Sequence, residues 1–178
     1  VDVRLNQGED RAQGTCAKGR RADAAEDVPI QRGNLPLNGR PVVVGSGPAG
    51  LFAALELARS GYRPLVLERG LPVEQRARKV EAYFNGGALD PCSNVQFGEG
   101  GAGTFSDGKL TTRIRDPRCA QVLRELVEAG APEEILVLAK PHVGTDRLQR
   151  LLPRLRKKIE SMGGAFRFGA CLADLERD

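Results

Sequence analysis

The sequence predicts an α/β protein built on a parallel sheet, and three observations carry that expectation. A short apolar, β-branched run over residues 41 to 44 ends in glycine. A helical apolar pattern follows at once, with Leu51, Phe52, Ala54, Leu55, Leu57 and Ala58 spaced to pack on a sheet. A second apolar run, Leu65, Val66 and Leu67, then closes on an acid, Glu68. Strand, helix and strand in this order form one compact unit over residues 41 to 68, with a right-handed crossover expected between parallel strands.

The remaining segments are read in chain order. Residues 1 to 38 mix Gly, Arg, Asp, Gln and Ala with little apolar periodicity, and Pro29 and Pro36 interrupt what there is, so a linker or disordered lead is expected. Gly61 is placed to end the first helix. Residues 73 to 84 read as a charged helix. Residues 85 to 108 are irregular and glycine-rich, too ordered in composition for a linker and too long for a turn. Helical periodicity returns over residues 118 to 129 and 146 to 162, with Gly130 and Gly163 as stops and Thr145 as the expected N-cap of the second helix. In the tail, Phe166, Phe168 and Ala170 alternate with Arg167 and Gly169, which is a strand pattern.

Composition removes several classes of function. The chain has 178 residues, 40% hydrophobic and 28% charged, and no apolar run approaches the roughly 20 residues of a membrane span. The charge of +4 comes from 27 Lys and Arg against 23 Asp and Glu. Arg154, Arg156, Lys157 and Lys158 cluster on a helix, where a solvated face explains them better than a nucleic-acid site. An aromatic content of 4% also speaks against a base-stacking surface for nucleic acid. Cys16, Cys92, Cys119 and Cys171 form neither a paired redox motif nor a metal pattern with His142, so no metal is expected and a reducing, cytoplasmic compartment is. The chain opens on Val1 without a signal-peptide core and ends in charged residues just past a strand pattern, so both ends read as cuts.

The chemistry sits in Gly45-Ser46-Gly47-Pro48-Ala49-Gly50, a G-x-G-x-x-G between an apolar strand and an apolar helix. In that context Gly45 takes the tight turn, Gly47 lets a pyrophosphate approach the backbone, and Gly50 packs helix against strand. The helix N-terminus turns free N–H groups and the positive dipole end toward the phosphates, and Pro48 has no N–H to waste there. Glu68 ends the second strand, where a carboxylate accepts ribose hydroxyls and repels a 2′-phosphate. FAD and NAD therefore fit, and NADP fits poorly.

The stretch from residue 40 to 115, above all RPVVVGSGPAGLFAALELARSGYRPLVLERG and SNVQFGEGGAGTFSDGKLTTR, resembles the uncharacterised FAD-dependent dehydrogenases of the glutathione-reductase-like, two-dinucleotide-fold flavoprotein superfamily. KPHVGTDRL at residues 140 to 148 fits the same family, and the likeness runs over residues 40 to 175. It implies a Rossmann-like FAD-binding domain with a parallel sheet, of which residues 39 to 178 are the N-terminal part. It implies a flavin-dependent oxidoreductase of the dehydrogenase type acting on a small molecule, with FAD as cofactor and NADH as a candidate electron donor. In such proteins later segments complete the fold. The chain therefore reads as an incomplete fragment of a longer flavoprotein, inactive alone and holding FAD less well than its parent.

The resemblance also assigns residues. Gly45, Ser46, Gly47, Pro48, Ala49 and Gly50 fall on the pyrophosphate turn, Glu68 on the ribose acid, and Arg69 beside the adenine and ribose. Arg76 stands where relatives turn a basic side chain toward the phosphates, although a helix-surface arginine reads equally well. Gly100, Gly101, Ala102, Gly103 and Thr104 resemble the loop laid against the flavin. Cys171 is expected in the tail strand, either meeting the adenine through its backbone or serving as a small core residue. No catalytic residue is assigned. His142, the one histidine, is the obvious acid or base candidate but reads more readily as a hydrogen-bonded structural residue, and Asp107 and Lys109 either orient a substrate or pair with each other. A nucleotide-binding scaffold without turnover is the rival reading. An NAD-dependent dehydrogenase is disfavoured because the chain leaves Glu68 for an irregular loop rather than a third strand.

Overall fold

Three β-branched residues form strand β1, Val42–Val44, and the glycine that follows turns the chain into helix α1, Pro48–Arg59. The computed structural model describes residues 33–34, 36–110, 112, 114, 116–138 and 140–176. The lead expected over residues 1 to 38 lies outside them save for its last positions. Helix α1 begins on Pro48, whose missing N–H is one of the groups a first turn leaves unpaired anyway. It ends at Gly61, which takes φ +80°. Strand β2, Leu65–Glu68, runs back parallel to β1 with Val42 opposite Leu65 and Val44 opposite Leu67.

A third strand does join, far along the chain. Strand β3, Ala165–Phe168, pairs parallel with the other edge of β2, Leu65 opposite Ala165 and Glu68 opposite Phe168. The sheet order is therefore β1-β2-β3 with β2 central. Between β2 and β3 stand α2, Val73–Phe84; a 3-10 turn at Ala102–Thr104; α3, Arg118–Glu128; a second 3-10 turn at Glu133–Leu136; and α4, Thr145–Ser161. The expected cap of α4 is corrected. Gly144 is the N-cap with φ +85°, and Thr145 is the first helical residue with no side-chain capping bond. A positive φ suits glycine, and the α4 backbone closes directly through the Leu148 N–H to the Gly144 carbonyl.

Strand alternation decides which face is core. Val43, Val66 and Phe166 stand in register across the three strands and pack with Leu51, Leu55, Leu151, Leu155 and Ile159 of α1 and α4. Each fully buried Leu or Ile contributes about 2 kcal/mol. On the other face Val42 and Val44 remain more than half exposed, at 53% and 57%. A buried carboxylate ties the helices together at one end. Glu125 of α3 accepts hydrogen bonds from Arg59 of α1 and, at 2.9 Å, from Lys158 of α4. Among the described residues no helix is long and apolar enough to cross a membrane.

Gly50 sets how closely α1 lies on β1, since a Cβ there would stand 1.9 Å from the Gly45 carbonyl oxygen. Gly50→Ala is expected to lower stability by about 3 kcal/mol through overpacking against backbone that has no room to move. Urea unfolding followed by circular dichroism tests this, and an unshifted midpoint would remove the close packing from the argument.

Candidate functional site

The C-terminal ends of three parallel strands converge on one cleft of about 390 Å³, the size of a small-molecule site. Gly45 and Gly47 reach it from the end of β1, Leu67, Glu68 and Arg69 from β2, and Ala170, Cys171 and Leu172 from just past β3. The fourth wall is the irregular loop, which contributes Gln96, Phe97, Gly98 and Gly101. Open sheets of this kind place their ligands at the carboxyl ends of the strands.

Glu68 organises the near wall. Its carboxylate is buried, with Oε2 accepting the Ser46 N–H at 2.7 Å and the Ser46 hydroxyl at 2.8 Å, and Oε1 accepting the Gly70 N–H at 2.7 Å. The acid expected for a ribose therefore also cross-links the end of β2 to the glycine turn. Ser46, expected beside the ligand, is fully buried with both its donors committed to Glu68. Pro48 and Ala49 open α1, and Gly50 packs on Gly45, so none of the three lines the cleft.

Arg76 is not the helix-surface arginine of one of its two readings. The side chain is fully buried, with its donors on the irregular loop. Its Nε donates to the Asn94 carbonyl at 2.8 Å and its Nη2 to Val95 at 2.9 Å. Nη1 donates to Glu99 at 2.7 Å and to Gly101 at 3.0 Å. The guanidinium carbon lies 4.7 Å from the centre of the Phe105 ring. A loop running past α2 with its carbonyls pointing inward gives a guanidinium more partners than the helix surface does. Burial pushes its pKa down to about 10, against the pull of Glu68 and Glu99.

Behind the same loop, Glu99 is fully buried, accepting the Val73 N–H at 2.8 Å and a bond from Arg156 at 3.0 Å through Oε2. Its Oε1 and the Thr104 hydroxyl are buried without a side-chain partner among the described residues. Burial raises the Glu99 pKa, with the Val73 N–H and Arg156 opposing it.

The remaining sequence assignments divide. Gly45, Gly47, Glu68, Arg69, Gly101 and Cys171 are brought together in the cleft. Cys171 stands in the loop past β3, not in the strand, and it is exposed rather than a core residue. Gly100 packs on Leu152, while Ala102, Gly103 and Thr104 form the 3-10 turn beyond Gly101, outside the cleft lining. His142 is exposed and away from the cleft, its Nε2 against the Asp107 carbonyl, and Asp107 pairs with Lys109 at 2.9 Å. Sequence reasoning did not assign Gln96 and Phe97 to the site. Their signal was Gly98 at the head of the glycine series, next to an aromatic side chain.

Residues 43–73 match the family model of the NAD(P)-binding Rossmann-like domain. An uncharacterized protein of Clostridium beijerinckii is 55% identical over 143 residues, which are 80% of this chain and 27% of that protein. The FAD-dependent monooxygenase apdD of Emericella nidulans is 37% identical over 78 residues, 38% of this chain and 12% of that protein. The chain thus spans about a quarter or less of the length of these curated relatives. Among solved structures, aklavinone-11 hydroxylase with FAD and aklavinone superposes over 76% of this chain and 26% of its own, at TM-score 0.37 and 21% identity. The flavin-dependent monooxygenase PieE with FAD and substrate superposes over 73% and 23%, at TM-score 0.35 and 24% identity.

Two outcomes test the buried charges. Arg76→Lys replaces a five-donor fork by three donors on one atom, so carbonyls of residues 94 to 101 lose partners, at a cost of about 3 kcal/mol. Hydrogen exchange is expected to speed up in that loop before it does in α1, and uniform protection would refute the clamp. For Glu99, folding raises the pKa above the ordinary 4.5. The stability held by its protonated form is therefore complete below that value and lost as pH rises through the higher folded one. As pH rises above 4.5 the wild type should lose stability relative to Glu99→Gln. Parallel urea midpoints across that range would contradict the shift.

Proposed function

We propose that this chain supplies the adenine-nucleotide end of an FAD site in a flavin-dependent oxidoreductase that acts on a small molecule. One observation carries the reading: a glycine turn at a helix N-terminus, an acid at the end of the next parallel strand, and the loop past the third strand all line one cleft. The residues fit the group. A Cβ at Gly45 or Gly47 would meet nothing within 4 Å, so the space a pyrophosphate needs is kept open by the absence of side chains.

In this reading Gly45 and Gly47 hold the pyrophosphate at the head of α1, which Pro48 and Ala49 open, and the dipole of α1 favours its charge. Glu68 takes a ribose hydroxyl, and Arg69 and Cys171 border the adenosine. Gly101 is assigned to the flavin end, with Gly100 and the Ala102, Gly103 and Thr104 turn shaping the backbone around it. The flavin supplies hydride transfer when bound, and this chain contributes binding, orientation and fixed charge. FAD is favoured over NAD by the family likeness of residues 40 to 175 and by the 37% identity to a protein named as an FAD-dependent monooxygenase. We favour the dehydrogenase type, with NADH as the electron donor, on the resemblance of the segment around residues 93 to 113. Arg76 acts through the loop it holds, as a positioning residue.

Titration calorimetry of the full chain with FAD and with ADP tests the reading, and absence of binding to both would sink it. Glu68→Gln is expected to weaken ADP by about 1 to 3 kcal/mol through lost charge-assisted hydrogen bonds. The same change should narrow the preference for ADP over its 2′-phosphorylated form, since the repelling charge is gone. An unchanged preference would take Glu68 out of ribose recognition.

A further inference from the structure

With the phosphates assigned to the glycine turn, the base still needs a partner, and Glu68 has little left to give. Of about four acceptor positions on a carboxylate, three are filled by Ser46 and Gly70. The cleft's rim carries a large aromatic that the core does not use. Phe97 is 43% exposed although its neighbours Gly98 and Glu99 are buried.

That exposed ring stands on a rigid mount. Asn94 Oδ1 accepts the N–H of Gln96 at 2.8 Å and of Phe97 at 3.3 Å, and the Asn94 N–H donates to the Phe97 carbonyl at 3.2 Å. Arg76 fixes the carbonyls of Asn94 and Val95 from behind. Beside it, the backbones of Gly70 and Gly98 touch: a Cβ on Gly70 would stand 2.7 Å from Gly98 Cα. This contact sets Arg69 over Phe97, with the Arg69 guanidinium carbon 4.3 Å from the ring centre. Arg69 covers part of the ring, and the 43% of Phe97 that stays exposed leaves apolar surface open to a planar ligand.

We propose that Phe97 and Arg69 form a base platform on which the purine of the nucleotide stacks, so that Phe97 is a binding residue of the cleft. The proposal rests on the nucleotide reading of the same cleft. An aromatic face and a guanidinium plane are the two surfaces on which proteins stack bases without reading their edges. Gln96, beside Phe97 in the lining, brings an amide to the same rim.

The test uses the full chain, with ADP and inorganic pyrophosphate as probes. Phe97→Ala and Phe97→Leu are expected to weaken ADP roughly ten- to hundredfold, the usual worth of one stacked base, while pyrophosphate binding stays unchanged. Phe97→Tyr should restore ADP affinity. The chain has no Trp, so the loss of intensity in the adenine ultraviolet band on stacking is readable directly. It should be present in wild type and Phe97→Tyr and absent in Phe97→Leu. If Phe97→Ala fails to fold, the Leu and Tyr variants carry the comparison. ADP affinity equal to wild type in Phe97→Leu overturns the platform and leaves the nucleotide reading standing. A wild type that binds no ADP removes both.

Discussion

Everything on the loop side of the cleft depends on one buried cation. A guanidinium removed from water costs several kcal/mol unless its donors and its charge are met, and Arg76 meets both conditions. Four carbonyls take its donors and a phenyl ring takes its face, with Glu68 and Glu99 supplying opposite charge. The consequence runs from energetics to shape. Residues 94 to 101 have no strand or helix of their own, so their backbone is held by a side chain instead of by a ladder. Two acids extend the arrangement in opposite directions. Glu68 fastens the glycine turn to β2, and Glu99 fastens α2 to α4 through the Val73 N–H and Arg156. A cleft between a regular sheet and an irregular loop keeps its width because both sides are tied to the same buried charges.

The part of the fold carried by short-range patterns was legible in the sequence. Strand alternation, helical spacing and the glycine stops describe β1, β2, β3 and all four helices, with differences of a residue or two at their ends. Glu68 was found for the same reason, since its distance from the glycine turn is a local measure. Arg76 was not, because its partners lie on carbonyls that come near only after the chain has folded back. On a charged helix such as α2, nothing in the residue itself separates an inward arginine from an outward one. Phe97 was missed because an exposed aromatic on a loop carries no periodic signal.

The glycines divide along the same line. Gly45 and Gly47 face open space, where an absent side chain leaves room for a ligand. Gly98, Gly100 and Gly108 face protein, each with an atom within 2.6 Å of where a Cβ would stand. Composition treats these residues alike. The sequence reading laid Gly100, Gly101 and Gly103 against a flavin, whereas the close approach of Gly98, Gly100 and Gly108 is to Arg76, Leu152 and Gly144. Glycine density in this loop therefore measures how tightly it is packed against its own protein as much as what it binds.

The chemistry available at the cleft follows from which side chains are left free there. Glu68 lines the cleft with a carboxylate that accepts from three protein donors, so it is committed to holding the glycine turn. Arg69 keeps its charge and stacks on Phe97. His142, the one histidine of the chain, is spent on a carbonyl elsewhere. What remains is backbone N–H, a helix dipole, one buried negative charge, an aromatic edge and the exposed Cys171 thiol. These groups suit the binding and orientation of the proposed nucleotide. A site so furnished is suited to a ligand that brings its own reactivity, which is the physical reason for reading it as the seat of a redox cofactor rather than as a catalytic centre built from side chains.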